Sequence, residues 1–311
     1  MILAAKKVIM AKIETVYGTA ATPSPATDAL AVTNFSLTPL EGVELAPAVV
    51  KPVLGEDAAI PMTGLGCKIE FDVPLPNATM AGTIPWWGRL MRGCGWSETN
   101  TPGTKTIYAL VGSGFESLTF EAYRDGVKHQ AVGCRGDWSF KVTAAGEAVM
   151  HFAFTGLYKP VADGALPSGT VLPNLDIYPA DATYTNSFVL HGVSLGLKDL
   201  EIKLGNDVQH RHLTNAERID IVGQKPSGTA TVEEPSVATF DAWAKAQSGA
   251  AGALEIKHGL GSGKSLVIAC PRVQIGKPGF SDDAGVSFLG LPLRVLNSAQ
   301  TAHDAITVTL Q

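Results

Sequence analysis

Charge is scarce in this chain. Of 311 residues, 17% are Asp, Glu, Lys or Arg, and the formal net charge is −5. A protein that grips nucleic acid carries a basic stripe. The longest basic cluster here is Lys6-Lys7, so tight nucleic-acid binding is excluded. Cysteine is also sparse, with only Cys67, Cys94, Cys134 and Cys270. None forms a CxxC pair, which argues against a zinc knuckle or a thioredoxin-like site. Their spacing reads as free thiols, in strands and one helix, of a reduced cytosolic protein. Long apolar runs are missing too. The opening "MILAAKKVIMAKIETVYG" is interrupted by Lys6, Lys7 and Lys12, so it fits neither a signal peptide nor a membrane span. Residues 1–20 read as an exposed or partner-binding arm. No G-x-S-x-G and no Cys–His arrangement stands out. The expectation is a chain with no catalytic residue, no cofactor and no metal ligand.

What the chain has is turn formers and alternation. There are 33 Gly and 19 Pro beside 45% hydrophobic residues. That mixture suits a fold made of strands rather than disorder. "KIEFDV" puts Ile69, Phe71 and Val73 on one face and Lys68, Glu70 and Asp72 on the other. "SLTFEAY" groups Leu118, Phe120 and Ala122, and "DWSFKVT" groups Trp138, Phe140 and Val142. The pattern returns at Leu200, Ile202 and Leu204, at Ile219 and Ile221, and at Ile306, Val308 and Leu310. These are half-buried antiparallel strands. Helical signals are confined to "IPWWGRLMRGCG", with Gly93 or Gly95 as the stop, and "SVATFDAWAKAQSG". The second is read with Phe240, Trp243 and Ala244 on one side and Gly249 as the stop. The fold class is all-β with minor α.

The two helices suggest a duplication. Phe35 in "FSLTPLE" matches Val193 in "VSLGLKD", Trp86 matches Phe240, and Gly95 matches Gly249. Gly112 then matches Gly261, Ser117 matches Ser265, and Gly146 matches Gly285. The order is collinear. The intervening prolines Pro160, Pro167, Pro173 and Pro179 forbid a continuous strand. The reading is two tandem β-sandwich or barrel domains, each with one flanking helix. They span residues 21–158 and 173–311, joined by a linker at 159–172.

"KHGLGSGKSLVI" approaches a phosphate-binding loop, but His258 stands where its first glycine belongs. The residues after Ser265 are β-branched, so a strand follows, not the helix that such a loop needs. "VGSGFESLTF" in the first half carries a similar turn with Phe115 and Glu116 in place of the lysine. A hairpin turn is expected at both places. His210 and His212 form an HxH pair with no third ligand nearby in sequence, so they read as surface histidines. Glu233-Glu234 and Asp282-Asp283 are adjacent acids whose side chains diverge on a strand, so they read as solvated turn residues. Trp86, Trp87 and Trp96 read as core packing around the first helix.

"AKIETVYGTAATPSPATDALAVTNFSLTPLEG", "MTGLGCKIEFDVPL", "PWWGRLMRGCGWSET", "TKTIYAL" and "YRDGVKHQAVGCRGDWSFKVTAAGEAVMHFAFTG" resemble, in that order, the major tail proteins of long-tailed, non-contractile bacteriophages. The likeness covers roughly residues 10–158. It implies two packed antiparallel sheets with a flanking helix per domain. Neighbouring domains would join into a barrel around a channel. With two domains per chain, three chains would make a pseudo-hexameric ring stacked into a tube. The loop at 43–64 would reach a neighbour, and Glu70, Asp72, Asp199 and Glu201 would face the channel. Implied partners are further copies, the tape-measure, tail terminator and baseplate proteins, and DNA in transient non-specific passage, with no membrane. The location implied is the virion tail, assembled in the bacterial host cytoplasm. The competing reading is an adhesive or binding β-sandwich decorating a virion, with Trp86, Trp87 or Trp96 exposed.

Overall fold

Eight strands join edge to edge into one antiparallel run, and the rest of the molecule is arranged around it. The computed structural model describes residues 3, 5–45, 52, 60–75, 81–174, 177–261 and 263–311. The first half holds β1 (Lys7–Ile13), β2 (Thr33–Glu44), β3 (Met62–Pro74), α1 (Gly88–Gly93), β4 (Trp96–Thr101), β5 (Lys105–Leu110), β6 (Leu118–Arg124), β7 (Gly126–Thr143), β8 (Ala148–Tyr158) and β9 (Ala162–Gly164). The second half begins with β10 (Ser187–Leu190), β11 (Val193–Ser194), β12 (Leu197–Lys203), β13 (Asn206–Leu213), β14 (Ala216–Gln224) and β15 (Ser227–Glu233). It continues with α2 (Ala242–Ser248), β16 (Ala251–Gly259), β17 (Ser265–Ile275), β18 (Gly279–Asp283), β19 (Val286–Leu296) and β20 (Thr307–Leu310). Strands account for 57% of the chain and helices for 5%, so the protein is all-β with minor α.

The run is β2–β3–β8–β7–β12–β15–β19–β18. One face is apolar, with Phe71, Phe152, Phe140, Ile202, Val232 and Leu291 all buried. Alternation along each strand turns the intervening residues to the other side. A second layer covers the apolar face. It consists of β1–β6 with the early part of β7, and of β10–β16 with the early part of β17. β20 continues this layer from β17 to the β5–β4 hairpin, and so ties the two halves together.

β7 and β17 belong to both layers. Each changes layer at an irregularity, between Val132 and Arg135 in β7 and opposite Gly252 to Leu254 in β17. Pro271 falls within that second irregularity, where a ladder donor is not required. Several ladders recur in the two halves. β1–β6, β2–β3, β3–β8, β6–β7 and β7–β8 are matched by β10–β16, β12–β15, β15–β19, β16–β17 and β17–β19. The β4–β5 hairpin occurs in the first half alone, and the β13–β14 hairpin in the second.

Several details differ from the sequence reading. The segment read as an exposed arm contains β1, which pairs with β6 and buries Ile9, Met10 and Ala11, so residues 7–13 are part of the fold. Its lysines lie toward solvent while its apolar centre enters the core. β6 is buried on both faces. Thr119 and Glu121 are covered as well, Glu121 accepting from Lys128 at 2.6 Å and Gln130 at 2.9 Å. Around α2 the buried residues are Phe240, just before the helix, and Ala242, whereas Trp243 and Ala244 are exposed. The helix begins only after Asp241, whose carboxylate caps Ala244 N–H, so Phe240 lies outside its period. Gly249 ends α2 in the left-handed conformation, with φ of 66°. The 159–172 segment contains the short strand β9 on the start of β7. The GSG turn at Gly112–Gly114 is not a hairpin, because β5 and β6 lie in different ladders. The one at Gly261–Gly263 does join paired strands, β16 and β17. The first turn precedes β6, whereas the second follows β16, the counterpart of β6, so the two turns are not equivalent positions. Residues 46–51 and 53–59 of the 43–64 loop lie outside the described residues.

Glu14 fixes the end of β1. Its carboxylate accepts from Ser117 Oγ at 2.6 Å, Thr119 Oγ1 at 2.8 Å, and the Gly133 and Gly18 amides at 2.8 Å. Only 7% of Glu14 is exposed, so those donors have no ready substitute in water. Glu14→Ala is expected to cost about 4 kcal/mol of unfolding free energy, and Glu14→Gln clearly less. Urea denaturation of the three proteins measures this.

Candidate functional site

The uncovered face of the eight-strand run is polar, and its geometry follows from cross-strand register. One row runs Asp72, His151, Ser139, Lys203, Ser227, Arg294 across six strands. Asp72 lies 2.7 Å from His151 Nδ1 and accepts from Asn34 Nδ2 at 2.7 Å. Lys203 Nζ lies 3.2 Å from Glu201, and Lys68 Nζ lies 2.9 Å from Glu41. A shallow concavity of about 490 Å³ lies here, bordered by Asp72, Asp137, Lys141, His151, Glu201 and Lys203. Burial raises the Asp137 carboxyl above its usual range, although the Asn206 amide donates to it at 2.9 Å.

The four acids singled out in the sequence fall on this face. Glu70 and Asp72 belong to β3, and Asp199 and Glu201 to β12. Lys68 shares this face with Glu70 and Asp72, as alternation in the sequence placed it, and the pairing of β7 with β12 adds Lys141. Lys141 is the direct partner of Glu201, and Lys68 and Lys203 also lie on this side. The face is mixed in charge rather than uniformly acidic. The run ends in β2 at one side and β18 at the other. Among the described residues each has one neighbour only, β3 and β19 respectively.

Each open edge presents a row of unpaired backbone N–H and C=O groups on which another strand can pair. A family model described as phage tail tube protein matches residues 4–290 of the 311. The chain belongs to that family. No curated relative matches it. Membership makes it a structural component of a phage tail, with a self-assembling tube as its setting. The family is structural, which points away from catalysis.

The other candidate positions of this tail tube protein are engaged with neighbouring elements. At the phosphate-loop look-alike four backbone amides are already engaged. Gly259 N donates to Tyr184 O, Leu260 N to Lys264 O, Lys264 N to Gly261 O and Ser265 N to Gln311 O. An anion cradle needs such amides free at a helix start, and here a strand follows. Ser262 lies outside the described residues.

His210 and His212 do acquire a third neighbour, Glu217, because the β13–β14 hairpin sets Glu217 opposite His212. His210 Nε2 lies 2.9 Å from Glu217, and His212 Nε2 lies 3.2 Å from His210 Nδ1. The rings lie over Gly64 and Gly66 of β3, where an added Cβ would meet imidazole atoms at 3.2 and 3.1 Å. Absence of side chains at these glycines seats the hairpin on the first half. Arg135 holds the same hairpin, donating to Ile219 O at 2.7 Å with its guanidinium carbon 4.8 Å from the Tyr17 ring centroid.

Trp87 and Trp96 are fully enclosed and Trp86 is half-buried, so these three tryptophans do not form the exposed platform that the adhesive reading places on them. All four cysteines are buried free thiols. Burial pushes the Cys67 and Cys270 thiols up to about 12, far from a reactive thiolate.

His258 has a role that its place in the motif conceals. It is buried and its Nδ1 lies 2.9 Å from Thr185 Oγ1. Burial holds its pKa down to about 4. An unfolded histidine titrates near 6.5, so below that pH protons bind the unfolded chain preferentially. The contribution is complete above about pH 6.5 and declines as pH falls toward 4. Between pH 7 and pH 5 the loss is expected to be about 2 kcal/mol, and His258→Gln should flatten that dependence in parallel denaturation curves. Lys264 is exposed. Lys264→Ala should change stability by less than about 0.5 kcal/mol, and MgATP should leave the Tm of both proteins unmoved in a thermal scan.

Proposed function

We propose that this tail tube protein closes with two further copies into a ring, that rings stack into the tube of a long-tailed, non-contractile phage, and that genome DNA passes through the hole during ejection. In this reading the chain carries two tail-tube modules, residues 21–158 and 173–311, with 159–172 between them. The recurrence of five ladders supports that division. β1, which precedes residue 21, belongs with the first module because it pairs with β6.

The observation that carries the proposal is the eight-strand run with one apolar face, one polar face and two open edges. An open edge leaves backbone donors and acceptors for another chain to pair. Head-to-tail association through a rotation that closes removes all such edges at once. Three two-module chains supply six modules. The apolar face then points outward to the covering layer and α1 and α2. The polar face points to the hole.

A lumen must pass phosphate without holding it. Glu70, Asp72, Asp199 and Glu201 repel it, and Lys68, Lys141 and Lys203 among them keep the wall from being strongly charged either way. Tape-measure, terminator and baseplate proteins are the remaining partners in this scheme, and assembly takes place in the host cytoplasm. The purified protein, concentrated and imaged by electron microscopy, is expected to form rings or tubes with a central hole. In a resolved map those four acids line that hole. Solitary particles, or a map that buries the four acids in contacts between subunits, would overturn the proposal.

A further inference from the structure

The molecule contains one example of the contact that ring closure needs, and its counterpart stands unused. Inside the chain, β7 pairs with β12 over five residues. Ser139 faces Lys203, Phe140 faces Ile202, Lys141 faces Glu201, Val142 faces Leu200 and Thr143 faces Asp199. This seam joins the first half to the second. We infer that β18 of one chain pairs antiparallel with the free edge of β2 in the next, in the register of this internal seam. The inference rests on the ring reading and assigns the residues that close it.

Equivalent positions follow from the ladders. β7 enters its hairpin after Thr143, and β18 enters its own after Asp283. Lys141 faces Val149 in β8, and Ser281 faces Phe288 in β19. Four residues along each of those strands lie Ala153 and Pro292. Ala153 leads through Glu70 to Ser36 in β2, and Pro292 leads through Thr229 to Glu201 in β12. Ser281 therefore occupies the place of Lys141, and Ser36 that of Glu201. Lys141 and Glu201 are partners in the internal seam, so Ser281 and Ser36 are partners in the external one. The neighbouring pairs are Phe280 with Leu37, Gly279 with Thr38, Asp282 with Phe35 and Asp283 with Asn34.

Burial agrees with this register. Phe140, in the internal seam, is completely enclosed. Phe280, its counterpart, is 67% exposed and packs on Trp243, itself 37% exposed, at a centroid distance of 5.1 Å. Every residue of β18 is exposed. Leu37 and Phe35 are only partly buried, at the rim of the core. Pairing would cover Phe280 with Leu37 as Ile202 covers Phe140. Asp282 replaces Val142 on the apolar side. A charge directed inward at an edge strand weakens unwanted pairing, so Asp282 keeps this edge from joining indiscriminately.

Paired cysteines test the seam. Cα atoms of antiparallel partners lie about 4.5–5.5 Å apart, within the range of about 4.4–6.8 Å that a disulfide spans. The native thiols are all buried. Under mild oxidation the full chain carrying Ser36→Cys with Ser281→Cys is expected to give reductant-sensitive species of two and three chains on a denaturing gel. Lys141→Cys with Glu201→Cys is the matched control and should close within one chain. Rings in the microscope without that cross-link would overturn the seam while leaving the ring reading intact. A cross-link from Thr38→Cys with Ser281→Cys in its place would overturn the register. Absence of rings and cross-links together would remove both proposals.

Discussion

Backbone pairing between Ser139–Thr143 and Asp199–Lys203 is the contact on which the architecture depends. Each half alone is a short antiparallel sheet with an apolar face and two edges. Joined along this seam they become one surface of eight strands. The ladder hydrogen bonds contribute about 1 kcal/mol each once water is accounted for. The larger gain comes from Phe140 and Val142 closing against Leu200 and Ile202, all of them buried. Fully burying such side chains is worth about 1.5–3 kcal/mol apiece. Register and burial select the same arrangement, since a one-residue slip would turn Lys141 and Glu201 into the core.

Other contacts hold the covering layer so that the seam stays in place. Arg89 of α1 donates to Ala11 O at 3.0 Å and Thr27 O at 3.0 Å, and its NH1 lies 2.5 Å from Asp28. That ties the helix to β1 and to the segment before β2. Arg92 makes two 2.6 Å bonds to Glu116, a paired geometry that holds orientation as well as position. β20 bridges β17 to β5, so the last strand of the chain locks the two halves a second time. This frame leaves β2 and β18 as the unpaired edges of the run.

The polar face carries its charge dispersed rather than gathered. Its acids and lysines are spread by strand alternation and linked in pairs such as Lys203 with Glu201 and His151 with Asp72. The amides flanking the glycine-rich turn, those of Gly259, Leu260, Lys264 and Ser265, donate to carbonyls of the protein itself. The histidine cluster at the β13–β14 hairpin follows the same logic, its rings filling the space above two glycines.

Much of this was legible in the order of residues. Alternation at "KIEFDV" and "DWSFKVT" assigned the buried and open faces, because a strand's period of two leaves no other choice. Gly249 marked the end of α2, since a left-handed position favours glycine. The missing helix after Lys264 ruled against a phosphate loop for the same local reasons. The tertiary structure decided what local pattern cannot carry. It drew the first strand into the core, because burial of Ile9 and Met10 depends on β6, over a hundred residues away. It set Glu217 beside His212, brought Lys141 opposite Glu201 on the open face, and distinguished two GSG turns that look alike in sequence. Pairing partners are chosen by long-range burial and register, and those are properties of the assembled sheet rather than of any segment within it.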